Sequence, residues 1–207
     1  MAQTWIRGKE MTVLIVGITG ASGAIYGIRL LEVLSSTRNT ETHLIVSQPA
    51  EAIIKYETGR SIQEVSALAS SSYDIRDIGA RISSGSFKTD GMIVAPCTVK
   101  TMSAIASSYS ENLLVRVADV TLKERRRLLL LVRETPLHLG HLRNMERLCE
   151  MGAVIMPPVP AFYHRPQTIQ DIVDHTVGKM LDMLGIEHTL FQRWPGMAKQ
   201  DEDLSTY

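Results

Sequence analysis

Five short apolar runs stand at residues 13–18, 43–46, 92–95, 128–132 and 153–156, each bounded by turn residues. Several are apolar at every position instead of alternately, the pattern of parallel strands covered on both faces. Between them, apolar residues recur at three- and four-residue spacing. This predicts helices over 23–35, 49–58, 101–109, 137–151 and 168–184. The last is the best specified. Thr168 and Asp171 read as a capping box, while Ile169, Ile172, Val173, Val177, Met180, Leu181 and Leu184 share one face until Gly185 stops it. Strand and helix patterns in alternation predict an α/β protein with a doubly wound, mostly parallel sheet, binding its ligand at the strand C-terminal ends. Residues 1–194 form one domain in this reading, with a polar tail over 195–207. Residues 61–72, rich in serine, read as a surface loop or short helix.

The first run ends in Gly17-Ile18-Thr19-Gly20-Ala21-Ser22-Gly23 and feeds directly into a helical pattern. A strand, a glycine-rich turn and a helix start together present backbone N–H groups and a positive helix end to an anion. The glycines follow G-x-x-G-x-x-G, unlike the dinucleotide fingerprint G-x-G-x-x-G. The second strand ends in Ser47 and Gln48, with no acid to hold a ribose. The turn therefore favours a mononucleotide phosphate, or it is a plain strand–helix turn.

Composition narrows the classes. Lys plus Arg and Asp plus Glu number 22 each, so the formal net charge is zero, which argues against nucleic acid as the main partner. No apolar run approaches the roughly 20 residues of a membrane span. Met1 to Glu10 reads as a short polar leader without a signal region. Cys97 and Cys149 form no metal or redox motif, which fits a reducing compartment.

Four loops carry candidate chemistry. Ser83-Ser84-Gly85-Ser86-Phe87 can wrap an anion or be a polar turn. Pro96-Cys97-Thr98-Val99-Lys100-Thr101 offers hydroxyls and N–H groups, with Cys97 read as a buried small apolar residue ahead of a nucleophile. Arg133 and Glu134 follow a strongly apolar strand, where α/β proteins place ligands. The proline-stiffened stretch after 153–156 carries Tyr163. Arg125, Arg126 and Arg127 read as a solvated helix face. His138 and His141 share a helix face, but no third metal ligand is evident.

Together these segments resemble the UbiX/Pad-type flavin prenyltransferases, formerly called aromatic acid decarboxylases. The likeness spans residues 12–194. It is carried by Thr19-Gly20-Ala21-Ser22-Gly23, Ser84-Gly85-Ser86, Pro96-Cys97-Thr98 with Thr101, Ala118-Asp119-Val120-Thr121-Leu122-Lys123-Glu124, Val132-Arg133-Glu134-Thr135-Pro136 and Pro160-Ala161-Phe162-Tyr163. Residues 82–94 and 133–136 look like the Pad branch, which includes fungal members.

The resemblance implies a flavodoxin-like, Rossmann-like three-layer sandwich. It implies reduced FMN as prenyl acceptor, dimethylallyl phosphate as donor and no metal. The product, prenylated FMN, serves a UbiD-type decarboxylase. A homododecamer is implied, with sites built from several protomers, in the cytoplasm or, for a fungal source, the mitochondrion. Carried over by residue, FMN contacts fall on Gly20, Ala21, Ser22, Ser47, Thr98, Val99, Lys100, Thr101 and Arg133. Prenyl-phosphate contacts fall on Ser84, Gly85, Arg116, Lys123, Tyr163 and Lys179. Glu57 and Glu134 match acids linked with proton transfer, and Trp194 an aromatic near the prenyl group; with Lys123 and Tyr163 these form the expected catalytic set. One cavity is expected to hold flavin and the second anion side by side.

Two departures stand out: Lys179 replaces an arginine, and Arg143 replaces a glutamate in a helix implied in assembly. Two rivals share the fold. One is an FMN-dependent cysteine-type decarboxylase, whose Pro-x-Met-Asn-x-x-x-Trp-like motif is absent. The other is a non-catalytic FMN-binding accessory subunit.

Overall fold

The computed structural model describes residues 11–194 and 196. The expected leader, and the expected tail apart from Gly196, lie outside the described residues. The chain divides into two compact units, Met1–Pro158 and Val159–Tyr207.

The first unit is built on one six-stranded sheet in the order β3-β2-β1-β4-β5-β6. The strands are β1 (Thr12–Ile18), β2 (Thr40–Val46), β3 (Ser71–Tyr73), β4 (Gly91–Cys97), β5 (Arg127–Val132) and β6 (Val154–Ile155). Every pairing is parallel. Its helices are α1 (Ala24–Ser36), α2 (Gln48–Thr58), α3 (Ile62–Ser66), α4 (Val99–Ala106), α5 (Leu113–Lys123) and α6 (Leu139–Glu150). The five apolar runs all hold strands. β1, β2, β4 and β5 are buried over most of their length, as strands covered on both faces are, whereas β6 at the sheet edge is two residues long with Val154 exposed. β4 is buried at all seven positions.

Three elements depart from the sequence pattern. β3 is a polar three-residue edge strand inside the serine-rich stretch. It is held by its ladder to β2, by reciprocal Ser70–Thr42 bonds and by Tyr73 on His43. The preceding helix α3 has a capping box between Ser61 and Glu64. The helix α5 is absent from the predicted elements although Arg116, Asp119 and Lys123 recur at helical spacing against buried apolar residues; so short a polar stripe does not fix where the helix begins. Its readable signal is Asn112, whose side chain accepts the Val115 N–H.

The charge run is the third departure. α5 ends at Lys123, Arg125 turns the chain with φ 57°, and Arg127 opens β5. Arg126 is no solvated helix residue: it donates to the carbonyls of Gly85 and Phe87, both at 2.7 Å.

The second unit contains α7 (Ile169–Leu184), which begins in the expected capping box and ends at Gly185 with φ 74°. Val173, Val177, Met180 and Leu181 are buried as expected, whereas Ile169, in the first turn, is 81% exposed. Among the described residues, no helix is long and apolar enough to cross a membrane.

Candidate active site

The strand order turns at β1, whose neighbours β2 and β4 connect away in opposite directions. That leaves a crevice at the strand C-terminal ends. A cavity of about 600 Å³ opens there. It is lined by Thr19, Gly20, Ala21 and Ser22 after β1, Ser47, Gln48 and Pro49 after β2, and Thr98, Val99, Lys100 and Thr101 after β4. Arg133 and Glu134 after β5, Ile75 after β3, and Glu111, Asn112 and Leu114 around the start of α5 complete it.

Thr19 staples the floor together. Its hydroxyl donates to the Pro96 carbonyl at 2.7 Å and accepts the Thr98 N–H at 2.8 Å, tying the end of β1 to the end of β4. Thr98 then caps α4, accepting the Thr101 N–H at 3.1 Å. Gly20 allows the turn to lie against α2, since a Cβ there would stand 2.6 Å from Pro49 Cβ. The Ser47 hydroxyl is buried among these groups with no hydrogen-bond partner. Such an orphan costs about 1–3 kcal/mol if left unmet, so it fits a polar ligand in the cavity.

The start of α1 is not open to an anion as the glycine turn suggested. Glu57, from α2, accepts from Gly23 N at 2.9 Å and Ala24 N at 3.0 Å. A carboxylate meets the same orphan donors and positive helix end that a phosphate would. Glu57 is therefore a cap of α1, and it is not among the cavity's lining residues.

Lys100 and Glu111 pair at 3.3 Å, both on the cavity wall. Burial raises the Tyr26 phenol above its ordinary pKa, partly offset by the Arg133 guanidinium. Cys97 ends β4 fully buried, and desolvation pushes its thiol up to about 12. At neutral pH it is an inert thiol.

A second cluster lies at the opposite edge, before β4 and β5. Ser84 and Ser86 hydroxyls meet at 2.8 Å, and Arg126 pins the Gly85 carbonyl. A Cβ on Gly85 would collide with the ends of Glu124 and Lys123, which are bonded to each other. The Lys123 ammonium holds the Glu124 carboxyl below its usual range. Lys123 is eleven residues beyond Asn112, about 16 Å along the helix at 1.5 Å per residue. Arg116, one turn into α5, pairs with Asp119 at 3.2 Å.

In the second unit, Tyr163 Oη is 2.7 Å from His175 Nε2, and the Trp194 ring meets Tyr163 edge-on at 5.6 Å. Lys179 pairs loosely with Asp182, which Arg193 also binds. Elsewhere His138 and His141 stack at 3.6 Å, with His138 Nδ1 capping α6 by accepting the Gly140 N–H. Among the described residues, no group of three or more His, Cys, Asp or Glu is placed to hold a metal ion.

The family model described as Flavoprotein matches residues 6–193. Flavin prenyltransferase UbiX of Escherichia coli (strain K12) is 59% identical over 185 residues, covering 88% of this chain and 98% of that protein. The chain belongs to the UbiX family of flavin prenyltransferases. Its backbone matches the structure of AnUbiX (PadA1) in complex with FMN and dimethylallyl pyrophosphate. The TM-score is 0.88 and the identity 50%, over 90% of this chain and 98% of that one. The dodecameric FMN-dependent UbiX-like decarboxylase of Escherichia coli O157:H7 also gives 0.88 and 50%, over 89% of this chain and all of that one.

For this UbiX-family chain, the structure gathers all nine expected flavin contacts and Glu134 into one cavity. Within one protomer Ser84, Gly85 and Lys123 stand a helix length from this cavity, at the far end of α5; the shared cavity expected from the resemblance is one built from several protomers. Sequence reasoning missed Thr19, Gln48, Glu111 and Asn112 as cavity residues. The Asn112 cap was the one available signal for the last pair, and the Thr19 staple is visible only once β1 and β4 are neighbours.

Proposed function

We propose that this protein joins a dimethylallyl group from dimethylallyl phosphate to N5 and C6 of reduced FMN. The observation that carries this is the cavity at the sheet switch point, where nine flavin-contact positions, the acid Glu134 and an orphaned Ser47 hydroxyl converge. Gly20, Ala21, Ser22 and Ser47 would hold the flavin's phosphate arm. Thr98, Val99, Lys100, Thr101 and Arg133 would line its other polar edges. When bound, reduced flavin supplies the two nucleophilic atoms.

The chain's own groups do the rest. Breaking an allylic C–O bond leaves phosphate negative and the prenyl fragment positive. Lys123, Arg116, Lys179, Tyr163 and the Ser84–Gly85 backbone stabilise the first. The Trp194 ring stabilises the second, by up to about 2 kcal/mol when desolvated. Glu134 accepts the proton that C6 loses, with Glu57 a second acid of the set acting from the α1 cap. Because Lys123 lies across the sheet from the cavity, a neighbouring protomer supplies the phosphate clamp in a homododecamer. Support comes from the dodecameric relative and from Leu137, Leu139 and Leu142 at the start of α6, which are 40–60% exposed. The product passes to a UbiD-type decarboxylase, and the bacterial relatives and two unpaired cysteines support a cytoplasmic setting.

The test is anaerobic. The protein is mixed with reduced FMN and dimethylallyl phosphate, with and without EDTA, and the flavin is weighed by mass spectrometry. A mass raised by one dimethylallyl unit in both samples is expected. A flavin of unchanged mass, beside a competent control enzyme, would overturn the assignment. Restored activity of a cofactor-free UbiD-type decarboxylase by the product tests the recipient.

A further inference from the structure

Tyr163 has one proton to give. Its hydroxyl is 2.7 Å from His175 Nε2, and its side chain is 39% exposed. If that proton points at the histidine, it cannot also serve an anionic oxygen on the open side. If His175 presents Nε2–H to the phenol oxygen instead, the phenol proton is free to donate outward.

The imidazole is built to hold this position. His175 lies on α7 and is 7% exposed. His164 stacks on one side at 4.7 Å with rings 6° apart, and Phe191 packs against it at 4.6 Å. Phe191 can come so close because Gly178, one turn further along α7, has no side chain. A Cβ there would lie 2.5 Å from the Phe191 ring. Burial, with His164 and Lys179 beside it, holds the His175 ring below the usual histidine value. Near neutral pH the ring is therefore uncharged, with a single N–H that either nitrogen can carry. In the absence of ligand both tautomers satisfy the pair. An oxyanion on the far side of Tyr163 is compatible with two hydrogen bonds only when Nε2 carries the proton. A ligand that interacts with one tautomer alone selects it, and the resulting donor chain polarises in one direction.

The geometry points to His175 as a positioning residue that fixes Tyr163 as a hydrogen-bond donor to the leaving phosphate of the prenyl donor, the Nε2–H of His175 supporting the phenol oxygen from behind. This rests on the assignment of Tyr163 as a phosphate contact. No bond is made or broken by His175. Its contribution is the direction of one O–H bond.

Steady-state rates over a dimethylallyl phosphate series test it with the full-length chain, reading KM and kcat separately. FMN affinity and the thermal midpoint serve as fold controls. His175→Phe keeps a ring and removes both nitrogens, and is expected to raise KM for dimethylallyl phosphate about fivefold, the equivalent of one neutral hydrogen bond. His175→Gln places an amide N–H where Nε2 stands and is expected to restore the wild-type value. His175→Asn, whose amide matches Nδ1 instead, is expected to behave like the Phe variant and replaces it if that chain fails the fold controls. Tyr163→Phe should raise KM at least as much, and adding the His175 change to it should have no further effect. An elevated KM in Tyr163→Phe with wild-type behaviour in His175→Phe, or no rescue by Gln, overturns the role of His175 while Tyr163 keeps its own. An unchanged KM in Tyr163→Phe overturns the phosphate assignment itself.

Discussion

Replacing Gly27 by alanine tests how α1 is seated, and the two relevant effects oppose each other. Gly27 is the fourth residue of α1, where helix propensity alone would favour alanine by about 1 kcal/mol. In this fold, however, a Cβ at Gly27 would lie 2.2 Å from the Ala95 carbonyl oxygen, and 2.9 and 3.0 Å from the Ile18 side chain. Ordinary contact begins near 3.4 Å, so α1 must retreat from β4 by about 1 Å. The nearest atom is a backbone oxygen of the fully buried strand β4, and it cannot swing aside as a side chain would. Overpacking of this kind costs typically 1–3 kcal/mol, and a backbone collision belongs at the upper end. The net expectation is destabilisation by about 2 kcal/mol. For a chain of this size that lowers the unfolding midpoint by about 4–8 °C. Differential scanning fluorimetry at fixed protein concentration, with flavin absent, reads it directly. FMN affinity should fall as well, because α1 carries the turn over Gly20, Ala21 and Ser22. A Gly27→Ala chain as stable as wild type, or more so, would refute the close α1–β4 packing on which the floor of the cavity depends.

Ser47→Ala should leave the ligand-free protein no less stable, since it removes a buried hydroxyl without a partner, yet weaken FMN binding about fivefold in a fluorescence-quenching titration. Glu134→Gln should bind FMN as wild type does but slow prenyl transfer about 100-fold or more, the contribution of a positioned base; unchanged turnover would remove it from the mechanism. A thiol reagent at pH 8 should modify the exposed Cys149 and spare Cys97 in the native chain. The Cys97 pKa is raised from 9.0 to about 12, so the folded state holds the proton more tightly. The stability this confers is complete below pH 9 and is lost as pH climbs toward 12, which alkaline unfolding curves of wild type and Cys97→Ala would show.

The candidate site was largely legible because its parts are loops that must follow strands. Gly20, Ser22, Ser47, Thr98 and Arg133 each stand just beyond an apolar run, and parallel topology carries every such position to one edge of the sheet. Glu57 was identified as an acid of interest but its structural task was hidden, because the helix end it caps is more than thirty residues away in the chain. Arg126 was read as solvated because a run of like charges usually is. Its actual partners, the carbonyls of Gly85 and Phe87, are some forty residues distant.

Local pattern determined what is local here: the strands under the long apolar runs, the capping box that starts α7, and the glycine-rich turn that follows β1. Those features depend on side-chain periodicity and backbone freedom over a few residues. Only the folded arrangement decided that β1 sits between β2 and β4, that Ser47 faces the cavity without a partner, that Lys123 lies a helix length from the flavin cavity, and that His175 backs Tyr163. Each of these is a distance between residues far apart in sequence. It is set by how the elements within each compact unit pack, which no short window of the chain encodes.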